Sequence, residues 1–285
     1  MNRNDFRFRD RLRVRWAEID AQKIVFNGHY LMYFDTAVAG YWRALALPYA
    51  QTMESLDGDL YVRKATLEYH GSALYDDLLD VGMRCARIGN SSFVFTAAVF
   101  RQEELLVSGE LVYVFADPRS QTSKPVPPEL RTVMLGFEDG EPMLDVRVGG
   151  WIEFGRDAQA IRTAVFVDEQ KVPAAMEWDE ADTTGVHALA RNRLGLALAT
   201  GRLLEHAPGV ARIGRMAVAR SLRGSGVGRA VLDALLQAAR ERGCRAVVLH
   251  AQTSAAGFYR RAGFVERGPE FEEAGIAHIE MTRTL

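Results

Sequence analysis

Glycine recurs at every second position in Arg223-Gly224-Ser225-Gly226-Val227-Gly228, and this run constrains the fold more than any other stretch of the chain. Upstream, Ile213-Gly214-Arg215-Met216-Ala217-Val218 is a short apolar run that reads as a buried strand. Downstream, Val227, Val231, Leu235 and Ala238 recur at helical spacing. A glycine-rich turn between a strand and a helix leaves backbone N–H groups pointing outward at the positive end of the helix dipole. Without side chains in the way, a phosphate can approach those groups closely. Two common phosphate motifs are excluded. A nucleotide P-loop needs Lys and then Ser or Thr after its last glycine, whereas Arg229 and Ala230 follow Gly228. A dinucleotide fingerprint needs G-x-G-x-x-G and a placed acidic partner, and neither is present.

The run resembles the R-x-x-G-x-G signature of the GNAT superfamily of acyl-CoA-dependent N-acetyltransferases, through Arg223, Gly226 and Gly228. Two more segments carry the same resemblance. Phe258-Tyr259-Arg260-Arg261-Ala262-Gly263-Phe264, after the strand-like Ala246 to His250, is similar to the superfamily's F-Y-x-x-x-G-F segment. Arg162, Val165, Phe166, Glu169 and Gln170 resemble the R-x-x-V-F-x-x-E-Q opening of the ElaA-like branch. The resemblance implies a GNAT α/β domain with a mixed sheet over residues 145–285. It implies acetyl-CoA as substrate and an amine, not identified by the sequence, as acceptor. Met216, Ala217 and Val218 would hold the pantetheine arm. Arg223, Gly224, Ser225, Gly226, Val227, Gly228 and Arg229 would take the pyrophosphate, and Tyr259 would protonate the leaving sulfur. Glu169, Glu177 and His250 are candidates for the base, while Glu177, Asp179, Glu180 and Asp182 could equally form a solvated acidic face. Local pattern gives a strand over Val146 to Phe154, a helix from Asp157 to Glu169, and strands over Gly185 to Arg191 and Leu194 to Leu203.

A chain of 285 residues exceeds one typical core, which leaves room for a second domain. Its 48% hydrophobic and 25% charged residues are those of a globular protein, and a net charge of −2 supplies no field for nucleic acid. The two cysteines, Cys85 and Cys244, are far apart, which fits a reducing cytoplasm. No apolar segment approaches membrane-spanning length, so no membrane partner is expected. The six histidines lack metal-ligand spacing. We therefore expect no metal site and no tightly bound cofactor.

In the N-terminal half, Phe6 to Trp16 alternates apolar and basic residues and reads as a half-exposed strand with Trp16 on its apolar face. Asn27-Gly28 offers a helix cap, and Leu31, Phe34, Val38, Tyr41 and Leu45 make a helical stripe that ends before Pro48. Four strand-like runs follow, Leu60 to Tyr69, Leu78 to Ile88, Phe93 to Arg101 and Leu105 to Ala116. A helix over Glu129 to Gly136 closes the domain, and Glu138 to Pro142 reads as the linker. One long aromatic helix followed by four consecutive strands predicts an antiparallel sheet curled around that helix.

The order and spacing of Arg13-Val14-Arg15-Trp16, Asp20, Phe26-Asn27-Gly28-His29-Tyr30-Leu31, Leu67-Glu68-Tyr69, Tyr75-Asp76-Asp77-Leu78 and Arg87 to Phe93 resemble the hot-dog fold of the 4-hydroxybenzoyl-CoA-type thioesterases. The resemblance implies a hot-dog acyl-CoA thioesterase domain over residues 1–138 and an α+β fold for the whole chain. It implies Asp20 as the catalytic carboxylate, with the amides of Asn27, Gly28 and His29 polarising the thioester carbonyl. Glu18 competes for the role of Asp20. His29, Tyr30, Tyr69 and His70 are secondary candidates for substrate contact, and Arg87, Ser91 and Ser92 for the CoA phosphates. Hot-dog relatives build their sites between subunits, which implies a homo-dimer or tetramer. The expectation is a bifunctional enzyme acting on acyl-CoA and acetyl-CoA. The alternative is one active domain beside a non-catalytic CoA-binding module.

Overall fold

The computed structural model describes residues 1–285, and its internal contacts fall into two units, Met1–Met143 and Leu144–Leu285. The first contains β1 (Phe8–Arg13), α1 (Asn27–Ala44), α2 (Tyr49–Ser55), β2 (Asp59–Tyr69), β3 (Leu78–Ile88), β4 (Ser92–Arg101), β5 (Glu104–Ala116) and α3 (Pro128–Glu138). The five strands pair antiparallel in the order β1-β3-β4-β5-β2, which leaves β1 and β2 as edges. Helix α1 lies across this sheet. Its Tyr41 ring is 5.4 Å from that of Phe95 on β4. Its Phe34 covers Gly109 on β5, where a Cβ would stand 2.7 Å from the ring. The buried side of α1 is Tyr30, Tyr33, Phe34, Ala37, Val38, Tyr41 and Trp42, an i, i+3, i+4 pattern of large side chains against a sheet.

Four local expectations are corrected. The first strand stops at Arg13, and the chain turns into a short 3-10 helix, Trp16–Glu18. The Glu18 carboxylate accepts the Arg15 N–H at 2.8 Å and overrides the alternation, so Trp16 is exposed instead of facing the core. Asn27 is the first helical residue and not the cap, which is Phe26. Leu31 is exposed, because the buried stripe begins one residue earlier, at Tyr30. Glu138 is no linker residue: it ends α3, and its Oε1 accepts the Tyr41 hydroxyl and, at 2.8 Å, the Cys85 N–H. Burial raises the Cys85 thiol to about 12.

The second unit contains β6 (Leu144–Gly149), α4 (Trp151–Arg162), a π-helix (Thr163–Glu169), the single turns α5 (Ala174–Glu177) and α6 (Ala181–Thr184), β7 (Val186–Asn192), β8 (Ala197–Ala207), β9 (Val210–Val218), α7 (Val227–Glu241), β10 (Ala246–Gln252), α8 (Ala256–Arg261), β11 (Val265–Glu273) and β12 (Ile276–Thr284). Its sheet runs β11-β12-β10-β9-β8-β7-β6. Every pair is antiparallel except β9 with β10. Thr200 on β8 stands opposite both Leu189 and Ala217, and those two pack with Phe154 and Ile161 of α4 and Val165 of the π-helix. The next residue, Gly201, points to the other face, where a Cβ would meet Leu235 and Val231 of α7. The two helices therefore cover opposite faces. The strand expected over Val146 to Phe154 ends at Gly149, and the following helix starts at Trp151. The strand expected from Leu194 begins at Ala197, because the Asn192 side chain holds a turn by accepting the N–H groups of Leu194 and Leu196. No helix is long and apolar enough to cross a membrane.

Candidate active sites

In the first unit the segment between β1 and α1 folds into a small hairpin. Ile19 bridges Val25 and Ile24 bridges Leu74. The Asp20 N–H donates to the Ile24 carbonyl at 2.9 Å, and the Lys23 N–H to the Asp20 carbonyl at 3.0 Å. Asp20 is half-buried in this turn, and its Oδ1 accepts the Gln22 N–H at 2.8 Å. Oδ2 is engaged by no protein donor. Glu18 is in a different state. It is 3% exposed, and its carboxylate accepts from the Arg15 backbone and guanidinium and from the Tyr33 hydroxyl at 2.8 Å. Burial opposes its ionisation, but these hydrogen bonds outweigh burial and hold it below the usual carboxylate range. A carboxylate saturated in this way is a fixed anchor and a poor base.

The hairpin delivers the chain into α1 with the Phe26 N–H donating to the Glu18 carbonyl at 2.9 Å. The N–H groups of Asn27 and Gly28 have no acceptor within the chain, as the first turn of a helix dictates. The His29 N–H donates to the Phe26 carbonyl at 2.9 Å, so its amide is withdrawn from the set. The exposed Phe26 ring packs over Gly28, its Cε1 2.9 Å from where a Cβ would stand, so a side chain here would push that ring aside. Tyr30 is buried, and its hydroxyl accepts the Ala73 N–H at 2.9 Å, which makes it a tie rather than a substrate contact. The Tyr69 hydroxyl reaches the Asn27 carbonyl at 3.3 Å, whereas His70 turns to Ser108 at 2.8 Å. Arg87, Ser91 and Ser92 lie around the β3–β4 turn. The Asp20 hairpin is pinned near the other end of β3 through the Asp77 carbonyl, which takes the Val14 N–H. An eleven-residue strand separates the two by roughly 33 Å, so one chain does not bring them together.

A cavity of about 380 Å³ lies beside the helix start, lined by Gly28, Leu31, Met32, Asp35, Val62, Leu111 and Tyr113. The Tyr113 hydroxyl faces Asp35 Oδ1 at 3.4 Å, and burial followed by that carboxylate pushes the phenol to about 12. Apart from Gly28, none of these is expected at the site from the sequence, and Leu31 is expected in the core. The available signal was that Gly28, Leu31, Met32 and Asp35 share one helix face.

In the second unit β9 and β10 pair in parallel only from Val210 and Ala246 to Ile213 and Leu249. Beyond that point they diverge. On its β8 side β9 slips by one residue between Gly214 and Ala217, a bulge at which Arg215 takes a φ of 52°. The β10-facing backbone of Gly214 to Val218 is thereby left unpaired. This is where Met216, Ala217 and Val218 lie: Met216 borders the opening, Ala217 is buried against α4, and the Val218 carbonyl accepts Arg223 Nε at 3.2 Å.

The glycine-rich turn starts one residue after Leu222. Gly224 and Gly226 have φ of 82° and 92°, a region costly for other residues. An added Cβ on Gly226 would meet open space, whereas one on Gly228 would stand 3.0 Å from Val218 Cγ2. The N–H groups of Gly224, Gly226, Val227, Gly228 and Arg229 have no acceptor within the chain, while that of Ser225 is used by Leu222. Five backbone donors thus lie free at the start of α7. The side chains behave differently: Arg223 pairs with Glu169 at 2.6 and 2.7 Å, and Arg229 with Asp233 at 2.8 Å.

Tyr259, on α8, is 8% exposed and borders a cavity of about 190 Å³ between the diverging strands, together with Phe166, Gln170, Met176, Glu177, Arg212, Arg215, Met216, His250, Gln252, Glu273 and His278. Burial pushes its phenol to about 12. Gln170 and Gln252 exchange amide hydrogen bonds at this cavity, the shorter 2.8 Å. The solvated acidic face is corrected at two positions. Glu177 and Asp182 are buried, held by Arg162 Nε at 2.5 Å and Arg162 Nη1 at 2.7 Å. Arg202 adds bonds to Asp179 and Asp182. The arginines that convert the acidic turns into a buried network come from α4 and β8, so only the fold reveals them.

The sequence profile of the thioesterase superfamily matches residues 22–108, and that of the acetyltransferase (GNAT) domain matches residues 156–285. A candidate acetyltransferase of Bacillus subtilis is 38% identical over 127 residues, which is 43% of this chain and 84% of the relative. A candidate esterase of Aquifex aeolicus is 30% identical over 93 residues, 33% of this chain and 72% of the relative. A solved N-acetyltransferase-like structure from Lactobacillus plantarum is 29% identical and covers 50% of this chain and 99% of its own, with a TM-score of 0.48. The chain therefore belongs to both families, carrying a thioesterase superfamily domain followed by an acetyltransferase (GNAT) domain.

Proposed function

We propose that the protein is a bifunctional acyl-CoA enzyme, in which residues 1–138 hydrolyse an acyl-CoA thioester and residues 145–285 transfer acetyl from acetyl-CoA to an amine. The observation that carries the second activity is the row of unpaired N–H groups at Gly224 to Arg229 beside the opening between β9 and β10. There the pyrophosphate takes the backbone donors, the pantetheine arm follows the free edge of Met216 to Val218, and the thioester reaches Tyr259. A phenol pushed to about 12 holds its proton at neutral pH and gives it to the departing sulfur.

In the first unit, Asp20 acts as base or nucleophile through Oδ2. The free N–H groups of Asn27 and Gly28 take the carbonyl oxygen as charge develops on it. The cavity beside Gly28 receives the acyl group, with Asp35 and Tyr113 at its polar side. The reading includes self-association through this unit: Leu31, Met32 and Val62 are exposed apolar residues around the same cavity, and a second copy would cover them. Thiol release from a panel of acyl-CoA thioesters, with and without amines, tests both activities. Release that no amine accelerates would remove the transferase, and release only with amines would remove the hydrolase.

A further inference from the structure

We propose that Glu177 is the general base of the acetyl-transfer site, and that its Oε2 removes a proton from the ammonium group of a small primary amine. The proposal rests on reading this unit as an acetyltransferase and names the group that such a reading leaves open. The cavity that holds Tyr259, of about 190 Å³, has room for a small amine. Among the groups at hand, Glu169 does not border the cavity, and both its oxygens are taken by Arg223. His250 Nδ1 is shared between Arg212 at 2.9 Å and Glu273 at 3.4 Å, and its Nε2 lies 3.9 Å from Glu280, so the ring joins β9 to the hairpin. Glu273 is at the hairpin end and exposed.

Glu177 differs from all three, and from His278 at the same cavity, whose Nδ1 is tied to the Ile276 carbonyl at 2.8 Å. It is 2% exposed and borders the cavity. Arg162 Nε fixes Oε1 at 2.5 Å and Arg162 Nη2 fixes the Glu177 carbonyl at 2.8 Å, so the carboxylate is held in one orientation. Oε2 takes no hydrogen bond. Its partner is Arg215 Nε, in a loose ion pair at 3.5 Å that falls short of a hydrogen bond. Glu177 borders the cavity, and an oxygen held only by this loose pair keeps the capacity to accept an N–H from a ligand there. Arg215 reaches this position through its left-handed φ of 52° at the β9 bulge, a conformation of the strained kind that collects at functional sites. Burial, opposed by Arg162, raises the proton affinity of Glu177 above that of an ordinary carboxylate, the direction that suits a base.

The protons balance. The ammonium gives one proton to Glu177 Oε2, and the neutral nitrogen attacks the thioester carbonyl carbon. As the C–S bond breaks, the sulfur takes the Tyr259 phenol proton and leaves as CoA thiol. The phenol recovers a proton from the newly acylated nitrogen, and Glu177 releases its own to solvent. The products are an acetamide, CoA thiol and a solvent proton.

The test uses full-length protein, saturating acetyl-CoA, and two probes of the same shape: ethylamine, which is protonated at neutral pH, and trifluoroethylamine, which is largely neutral. Glu177→Gln should slow transfer to ethylamine by about 10²- to 10³-fold at neutral pH. The defect should shrink roughly tenfold per pH unit as the amine deprotonates in solution, and transfer to trifluoroethylamine should stay near wild type. Unchanged acetyl-CoA affinity in titration calorimetry shows that the variant is folded. Equal losses with both amines, or no loss, would overturn the assignment. Arg215→Gly provides a second arm. It removes the cation beside Oε2 and relieves the positive φ, so the acid limb of kcat/KM should move to higher pH. An unmoved limb counts against Glu177. Wild-type protein that acetylates neither amine would instead overturn the acetyltransferase reading for small amines, which separates the two failures.

Discussion

Glu169 and Arg223 meet through two parallel bonds of 2.6 and 2.7 Å, so the last residue of the π-helix holds the first residue of the glycine-rich turn. The same π-helix turns Phe166 to the cavity that Tyr259 borders, and Gln170 follows it there. Arg223 holds Glu169 below the usual carboxylate range, so this anion stands beside the glycine-rich turn at neutral pH. Glu169→Gln should tighten acetyl-CoA binding by up to about 5-fold at low ionic strength, the range of an exposed pair, with the gain fading as salt screens it. Calorimetric titration at two salt concentrations measures this. Weaker binding would show that Glu169 positions Arg223 for the ligand.

Asp20→Asn should lower acyl-CoA hydrolysis by about 10²- to 10⁴-fold without unfolding the chain, as read by thiol release and thermal melting. Unimpaired release would return Asp20 to a purely local role in its turn.

Glu18→Gln should behave in the opposite way, destabilising the fold by about 1–3 kcal/mol through loss of a buried, charge-assisted network. Because the folded-state pKa of Glu18 is depressed, its contribution is present above the unfolded value near about 4 and is lost as pH falls through the folded value. The stability gap between wild type and variant should therefore be widest near neutrality and close in acid. A gap that widens in acid would contradict the assigned direction.

Tyr259→Phe keeps a packed ring and removes the proton. Acetyl-CoA affinity should be nearly unchanged and transfer about 10- to 1000-fold slower. Since burial raises the phenol to about 12, the wild-type rate should show no alkaline loss from this group until pH approaches that value. Gly226→Ala, with φ of 92°, costs about 1–2 kcal/mol of backbone strain and directs its Cβ into the open space before the free amides. Calorimetry should then show weakened acetyl-CoA binding, and tight binding would remove the phosphate assignment from this turn.

The full-length chain should be at least a dimer in light scattering at micromolar concentration, and Val62→Glu on edge strand β2 should shift it toward monomer. A wild-type monomer would leave the exposed Leu31, Met32 and Val62 uncovered and would weaken the thioesterase site proposed above.

What the sequence determined by itself is what short-range chemistry encodes. Glycine spacing fixed the strand–turn–helix at Ile213 to Glu241, because Gly224 and Gly226 take backbone angles that other residues resist and Gly228 stands where a Cβ would crowd Val218. Alternation and turn residues located β2 to β5, and helical spacing located α1, to within a residue or two. Tertiary structure decided the states of the charged groups. Asp20 and Glu18 are two residues apart and indistinguishable as loop acids, yet Tyr33 and Arg15 saturate one and leave an oxygen of the other open. Glu177 and Asp182 look solvated until Arg162, distant in sequence, is buried between them. The strained Arg215 and the gap beside Glu177 exist only because β9 bulges where it leaves β10. A carboxylate's ionisation and reach depend on desolvation and on partners brought from other elements, and neither is a property of its neighbours in the chain.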